Sequence, residues 1–328
     1  MKYRYLGSSE LEVSVVAMGC WAIVGDATWG RQEEDDAVEA INAARESGVN
    51  FFDTAEAYGD GYSEELLGEV LSGDDDVVIA SKARPDHFGS QGLKTACEGS
   101  LRRLKRDCID VYYLHWPNRG IPYDETMAAM EELKEEGKIR VPACSNFGVH
   151  DLSELLQCGR VEANQLAYNL LFRAIEFGIQ PACIENDVGI TCYSPIAQGL
   201  LTGKFESPDD VPEGRARTRH FSSTRPQSYH DEPGAEAETF ETLDKIRTIC
   251  RDAGISMTHA AIGWLLSRDG VDSVIAGARN AEQASDNALA GDMEIPDGVL
   301  QALTDATESL KQRLGPNPDM WKTESRIK

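Results

Sequence analysis

The chain has 328 residues, with 56 acidic and 32 basic side chains and a formal net charge of −24. That balance repels nucleic acid and anionic membrane surfaces, so neither is expected as a partner. There is no apolar leader core at the start and no stretch of about eighteen uninterrupted apolar residues, which points to a soluble, cytoplasmic protein.

In chain order, Tyr3–Leu6 and Leu11–Val13 flank Gly7-Ser8-Ser9-Glu10 and read as a β-hairpin. Short apolar, β-branched runs follow at Val13–Ala17, Val49–Phe52, Val77–Ala80, Ile109–Leu114, Ile139–Ala143, Val161–Asn164, Ile190–Tyr193 and Ser273–Ala276. Helical patterns lie between most of them: Leu93, Cys97, Leu101 and Leu104 share one face, as do Met127, Met130 and Leu133. Gly48, Gly137 and Gly189 are placed to end helices before the next strand. Strand–helix alternation without a linker or low-complexity tract predicts one domain over 1–328, a parallel (β/α)8 TIM barrel, with the hairpin closing its bottom. An open doubly wound sheet would carry a Gly-x-Gly-x-x-Gly turn after its first strand. The nearest approach, Gly59-Asp60-Gly61, follows a later strand and lacks the third glycine.

Eight cysteines are spread singly, with no C-x-x-C pair, and are expected as reduced, mostly buried thiols. No clustered ligands suggest a metal. About eighty residues separate the seventh and eighth predicted strands, and so long a connection in a compact barrel is usually functional. It contains a loop rich in Gly, Pro and Ser (Ser207 to Gly234), and within that the chain's dense basic segment, Arg215-Ala216-Arg217-Thr218-Arg219-His220. A basic cluster in an acidic protein suggests an anionic ligand, and the loop is expected to settle over it on binding. After a helix over Val299–Leu310, Gly315-Pro316-Asn317-Pro318 is expected to lead into a mobile end.

Asp53 and Tyr58 follow the second barrel strand, Lys82 the third and His115 the fourth. A parallel barrel collects its chemistry at the C-terminal ends of its strands, so these four are expected on one face. Tyrosine ionises near pH 10, and a lysine ammonium within about 4–6 Å is expected to lower that by about one to three units. Asp53 would keep such an ammonium charged.

Gly19-Cys20-Trp21, Phe52-Asp53-Thr54-Ala55-Glu56-Ala57-Tyr58, Ala80-Ser81-Lys82, Leu114-His115-Trp116-Pro117, Ser145-Asn146-Phe147, Gln165-Leu166-Ala167-Tyr168-Asn169, Tyr193-Ser194-Pro195, Gly199-Leu200-Leu201-Thr202-Gly203-Lys204 and Gly277-Ala278-Arg279 occur in this order. Together they resemble the aldo-keto reductases over nearly the whole chain, and especially the bacterial and archaeal branch with a Gly-Cys-Trp-Ala-Ile start. The resemblance implies an NADP-dependent oxidoreductase that interconverts a carbonyl and its alcohol, with Asp53, Tyr58, Lys82 and His115 as its tetrad and Tyr58 as general acid/base. It implies that Gly19, Trp21 and Asp53 border the cofactor. Ser145, Asn146 and Gln165 then hold the nicotinamide carboxamide, and Tyr193 stacks on its ring. Ser194, Pro195, Leu200, Gly203 and Lys204 run beside the pyrophosphate, with help from Arg219. Gly277 and Arg279 take the 2′-phosphate, and Gln283 and Asn287 the adenine side. Trp21, Tyr58, His115 and Trp116 frame the substrate. Gly277-Ala278 stands where many members carry a lysine–serine pair, so some NAD(H) use is expected beside NADP(H). The same fold serves potassium-channel β-subunits, which leaves a cofactor-binding regulatory role as the alternative.

Overall fold

The computed structural model describes residues 1–328. Strands β1 (Tyr3–Tyr5) and β2 (Glu12–Ser14) form an antiparallel hairpin apart from the main sheet. The sheet itself is a closed parallel barrel of β3 (Val16–Gly19), β4 (Phe51–Asp53), β5 (Val78–Ala83), β6 (Ile109–Leu114), β7 (Ile139–Ser145), β8 (Ala163–Ala167), β9 (Gly189–Tyr193) and β10 (Val271–Gly277), with β10 pairing back onto β3. Helices α1 (Glu34–Glu46), α2 (Tyr62–Val70), α3 (Ser90–Leu104), α4 (Tyr123–Glu135), α5 (Val149–Cys158) and α6 (Ile179–Glu185) follow the first six barrel strands in turn. After β9 comes the long connection, then α7 (Glu236–Ala253) and α8 (Met257–Leu266); α9 (Ala281–Leu289) and α10 (Asp297–Leu314) follow β10. No helix is long and apolar enough to cross a membrane.

The predicted run Val13–Ala17 divides between two elements: Val13 belongs to the hairpin, Val16 and Ala17 to the barrel. Apolar periodicity cannot see this break, because residues on both sides of it are buried. The Ser14 hydroxyl marks it, donating to Val16 O (2.8 Å) and accepting from Asn50 N (3.2 Å).

The hairpin is the floor of the barrel. Leu6, Leu11 and Val13 are buried with Phe51, Val111, Tyr113 and Ile275, inward residues of the strands. The larger core lies between the strands and the helical ring. Such a filled interior leaves the C-terminal strand ends as the place for a ligand.

Gly48 and Gly137 do end α1 and α4 in the left-handed region, with φ of 86° and 72°. Gly189 does not. Asp187 takes the left-handed turn after α6 (φ 52°), and Gly189 opens β9. Its missing side chain serves close packing instead: a Cβ there would lie 1.8 Å from Asp272 Oδ2 and 2.7 Å from Gly7 N. Gly7 N donates to that same carboxylate at 2.8 Å, which ties the floor to β10.

Burial pushes the Asp272 carboxyl up to about 6, against the opposing Gly7 hydrogen bond and Arg4 charge. An acid whose folded pKa exceeds its unfolded value adds stability while protonated and loses that contribution as pH rises through about 6. Asp272→Asn keeps an acceptor for Gly7 N and removes the titration. Its stability relative to the parent should therefore rise between pH 5 and 7.5 in denaturant titrations, and a pH-independent difference would contradict this account.

Candidate active site

The barrel register sets Gly19 beside Asp53, Asp53 beside Ala80 and Lys82 beside Tyr113, so the ends of β3 to β6 converge. Lys82 is wholly buried, and its ammonium has three partners: Asp53 Oδ2 at 2.7 Å, Thr54 O at 2.6 Å and the Tyr58 hydroxyl oxygen at 3.2 Å. An ammonium has three N–H groups, so all are spent. The Tyr58 oxygen accepts from Lys82 and keeps its own hydrogen for something in the cleft. Asp53 Oδ1 accepts from Gln165 Nε2 at 2.7 Å, which links this cluster to β8. Asp53, Tyr58, Lys82 and His115 are thus brought together, with the His115 ring 5.8 Å from the Tyr58 ring.

Burial pushes the Tyr58 phenol well above its ordinary range, and the Asp53 charge adds to the rise. The lowering expected from the ammonium is outweighed, so the phenol is held protonated. Burial draws Lys82 down, opposed by Asp53 through charge and hydrogen bond. His115 is held well below its usual value by burial, then by the Lys82 and Arg84 charges, which keeps the imidazole neutral.

These groups open into a cleft of about 940 Å³. Trp21 stacks on Tyr58 (6.0 Å between centroids, 20° between planes) and meets Trp29 edge-on at 5.4 Å. Trp116 lines the same end, and Gly19 lies against the wall beside Trp21. On the next strands, Asn146 sits in the left-handed region (φ 64°), and its Nδ2 donates to Ser145 Oγ at 3.0 Å. Its Oδ1 accepts from the Tyr193 hydroxyl at 2.9 Å. Ser145, Gln165 and Tyr193 line the cleft with it, as do Ser194, Pro195 and Lys204. The loop after β9 carries further left-handed residues, Ser194, Ala197 and Gln198, a concentration of backbone strain typical of ligand-binding loops.

At the far end Gly277, Arg279, Gln283 and Asn287 also line the cleft. The Arg279 guanidinium donates to Trp29 O (2.9 Å), Gln32 Oε1 (2.8 Å) and Arg31 O, clasping the loop after β3; two of its five N–H groups remain. Asn287 donates to Gly277 O at 3.2 Å, and Gln283 Oε1 accepts from Arg279 N at 3.1 Å.

Three expected cofactor residues lie outside the lining. Leu200 is buried in the core, and Gly203 backs onto α8, where a Cβ would meet Met257 Sδ at 2.9 Å. Their neighbours Gln198, Gly199 and Thr202 face the cleft instead. Arg219 is turned away from it: the side chain is buried, pairs with Glu232 at 2.8 Å and donates to Leu314 O and Asn317 O. Buried and paired, it serves the fold. Arg215 and Arg217, from the same basic segment, do reach the cleft.

The end after α10, expected to be mobile, is instead packed against the barrel. It is packed down by Met320 and Ile327, both buried, and Lys328 O accepts from His150 N and Asp151 N. Trp321, Lys322 and Arg326 thereby become part of the cleft wall. The signal available in sequence was the apolar pair Met320-Trp321 in a stretch that its Pro and Gly content marks as loose.

The model of the Aldo/keto reductase family matches residues 15–308. The chain is 32% identical to "Aldo-keto reductase YhdN" of Bacillus subtilis, over 86% of each chain. It is 29% identical to the "NADH-specific methylglyoxal reductase" of Escherichia coli, over 95% of this chain and 100% of that one. A "probable voltage-gated potassium channel subunit beta" of Oryza sativa is 30% identical over the same shares. Among solved structures, an aldo/keto reductase from Klebsiella pneumoniae in complex with NADP and acetate superposes with a TM-score of 0.73 at 29% identity, covering 98% of this chain and 97% of that one.

With its pKa held well below 6.5 by burial and by Lys82, His115 should show no titration in NMR spectra between pH 6 and 8. Lys82→Met should move its titration upward. A midpoint near 6.5 in the parent would mean that the imidazole does not sense these surroundings.

Proposed function

The chain belongs to the aldo/keto reductase family and is an oxidoreductase, and we propose that it interconverts small carbonyl compounds and their alcohols with NADP(H), Tyr58 serving as proton donor and acceptor. What carries this reading is the hydrogen-bond count at Lys82: with all three ammonium hydrogens spent, the Tyr58 O–H is left pointing to an acceptor in the cleft.

Several features fit a phosphate-rich dinucleotide. Burial, then the Arg215 and Arg279 charges, draw Lys204 down, and burial followed by the Arg279 charge does the same to Arg215, with no carboxylate opposing either. The Gln198 amide is buried with neither its oxygen nor its nitrogen partnered, and Arg215 Nε is also unpartnered. Groups of this kind are costly unless a ligand satisfies them. Ser145, Asn146 and Gln165 offer donors and acceptors for a carboxamide, and Tyr193 an aromatic face. Gln198, Lys204 and Arg215 would hold the pyrophosphate, and Arg279, Gln283 and Asn287 the phosphorylated adenosine. Bound there, the cofactor supplies or takes the hydride.

In the reducing direction the substrate oxygen accepts the Tyr58 hydrogen bond and another from neutral His115, which orients the carbonyl and stabilises the charge that develops on it. Tyr58 then yields its proton to that oxygen. The phenolate left behind is unfavourable in so buried a place, and the Lys82 ammonium at 3.2 Å offsets this cost. Asp53 keeps the ammonium charged and in place. Oxidation runs the same proton path backwards.

Tyr58→Phe should lower NADPH-dependent reduction of small aldehydes by about 10²–10⁴-fold while the Kd for NADPH stays nearly unchanged. Retention of close to full activity would remove Tyr58 from the mechanism. The same assay judges the second reading, a regulatory subunit with little turnover, which the rice relative favours. Sluggish oxidation of NADPH by the parent across an aldehyde panel would support that role.

Arg279→Ala should weaken NADPH by about ten- to a hundredfold and NADH less, because a charge-assisted hydrogen bond to phosphate contributes about 1.5–3 kcal/mol. Equal losses measured by cofactor fluorescence would mean that Arg279 acts only through the loop it clasps.

A further inference from the structure

The tail that completes the cleft carries charge to the reaction end, away from the cations assigned to the cofactor. It is fixed from several sides: Arg219 donates to Leu314 O and Asn317 O, and the Asn317 amide donates to Lys322 O (3.0 Å) and Thr323 O (2.9 Å). Arg326 stands on this strap with its guanidinium 3.7 Å from the centre of the Trp116 ring, and Trp116 adjoins His115 in sequence. Asp319, wholly buried, accepts from Arg326 Nε at 2.7 Å and from one terminal nitrogen at 3.0 Å. This pairing fixes the plane of the guanidinium and leaves three of its five N–H groups free.

Two more cations stand nearby on the same wall. Lys322 is exposed and has no carboxylate partner. Arg217 lies over the Trp321 ring at 5.0 Å, bonded to Thr28 Oγ1, with its buried Nε unpartnered. Arg217, Lys322 and Arg326 gather three cations on this wall in a protein of net charge −24. Asp319 is paired with Arg326, while Asp231 and Asp26 are bonded to Thr323 and to Trp21 and Thr28, and none of the three carboxylates pairs with Lys322 or Arg217. An orienting carboxylate behind an arginine, an aromatic floor beneath it and an uncompensated lysine at its side are the parts of an anion-recognition site.

We propose that the substrate of this oxidoreductase is an aldehyde or ketone that also bears an anionic group, a carboxylate or a phosphate. Arg326 and Lys322 hold that group above Trp116 while the carbonyl meets Tyr58. The proposal rests on the reductase reading above and narrows it to a substrate class. Neutral carbonyl compounds of the same shape lose the charge-assisted hydrogen bonds and are poorer substrates chiefly through KM.

The test pairs 4-carboxybenzaldehyde with its methyl ester, and glyceraldehyde 3-phosphate with glyceraldehyde, using the full chain and NADPH. At least one anionic member should exceed its neutral partner about tenfold or more in kcat/KM, and the margin should shrink as salt is raised. Which pair shows it tells carboxylate from phosphate. Lys322→Gln, at an exposed position, and Arg326→Lys, which keeps the charge and loses the fork, should each bring the ratio towards one. Benzoate and inorganic phosphate binding to the NADP⁺ complex, followed by tryptophan emission, gives a reading that needs no turnover. Anion binding weakened several-fold by either variant supports the site. Equal kcat/KM within both pairs, or anion binding unchanged in both variants, would overturn it and leave Tyr58 and His115 as the anion's partners. Absence of turnover with every carbonyl would count against the reductase reading instead, with the binding arm still deciding this one.

Discussion

A buried ammonium with three fixed acceptors organises this molecule's chemistry. Taking a charged amine out of water costs several kcal/mol unless a counter-charge and hydrogen bonds replace its hydration. Lys82 receives both, from Asp53, Thr54 and Tyr58, which come from the end of β4 and the turn beyond it. The direction of the Tyr58 hydroxyl, the position of the Asp53 carboxylate and, through Gln165, the placement of β8 all follow from that one arrangement. Removal of Asp53 would leave an uncompensated charge in the barrel.

The rest of the scaffold makes this constellation possible by closing the barrel at the other end. The hairpin, locked through Gly7 and Asp272, fills the bottom with the buried side chains of Leu6, Leu11 and Val13. Above, the cleft is assembled from segments far apart in sequence: the loop after β3, the loops after β9 and β10, and the tail. Arg217 and Arg279 both reach across to the loop after β3, through Thr28 in one case and Trp29, Arg31 and Gln32 in the other. Arginine suits such bridges because its planar fork satisfies several carbonyl oxygens at once.

Much of this was legible in the amino-acid sequence because parallel barrels tie function to strand ends. Once the apolar runs are found, Asp53, Lys82 and His115 fall at their C-terminal borders, and the structure brings them together around Tyr58. What stayed hidden had specific causes. Val13–Ala17 is apolar on both faces, so its division into two strands has no periodic signature. Arg215, Arg217 and Arg219 look equivalent in a basic segment, yet Arg219 is claimed by Glu232 and the chain near Asn317, partners about a dozen and a hundred residues away. The tail looked loose because its anchors, the backbone at the start of α5 and the Arg219 side chain, are tertiary. The direction of the Tyr58 shift was missed because proximity of an ammonium can be guessed from sequence, whereas the depth of burial that outweighs it cannot.

The tryptophans carry a consequence of their own. Of the five in the chain, Trp21, Trp29, Trp116 and Trp321 line the cleft, and only Trp264 lies in the core, its indole nitrogen bonded to Thr304. Four of the protein's five indole emitters therefore stand on the walls of one cavity. Any molecule entering the cleft changes the dipoles and quenchers around four emitters at once. The molecule is in effect its own optical occupancy meter, with one emitter set apart from the cavity in α8.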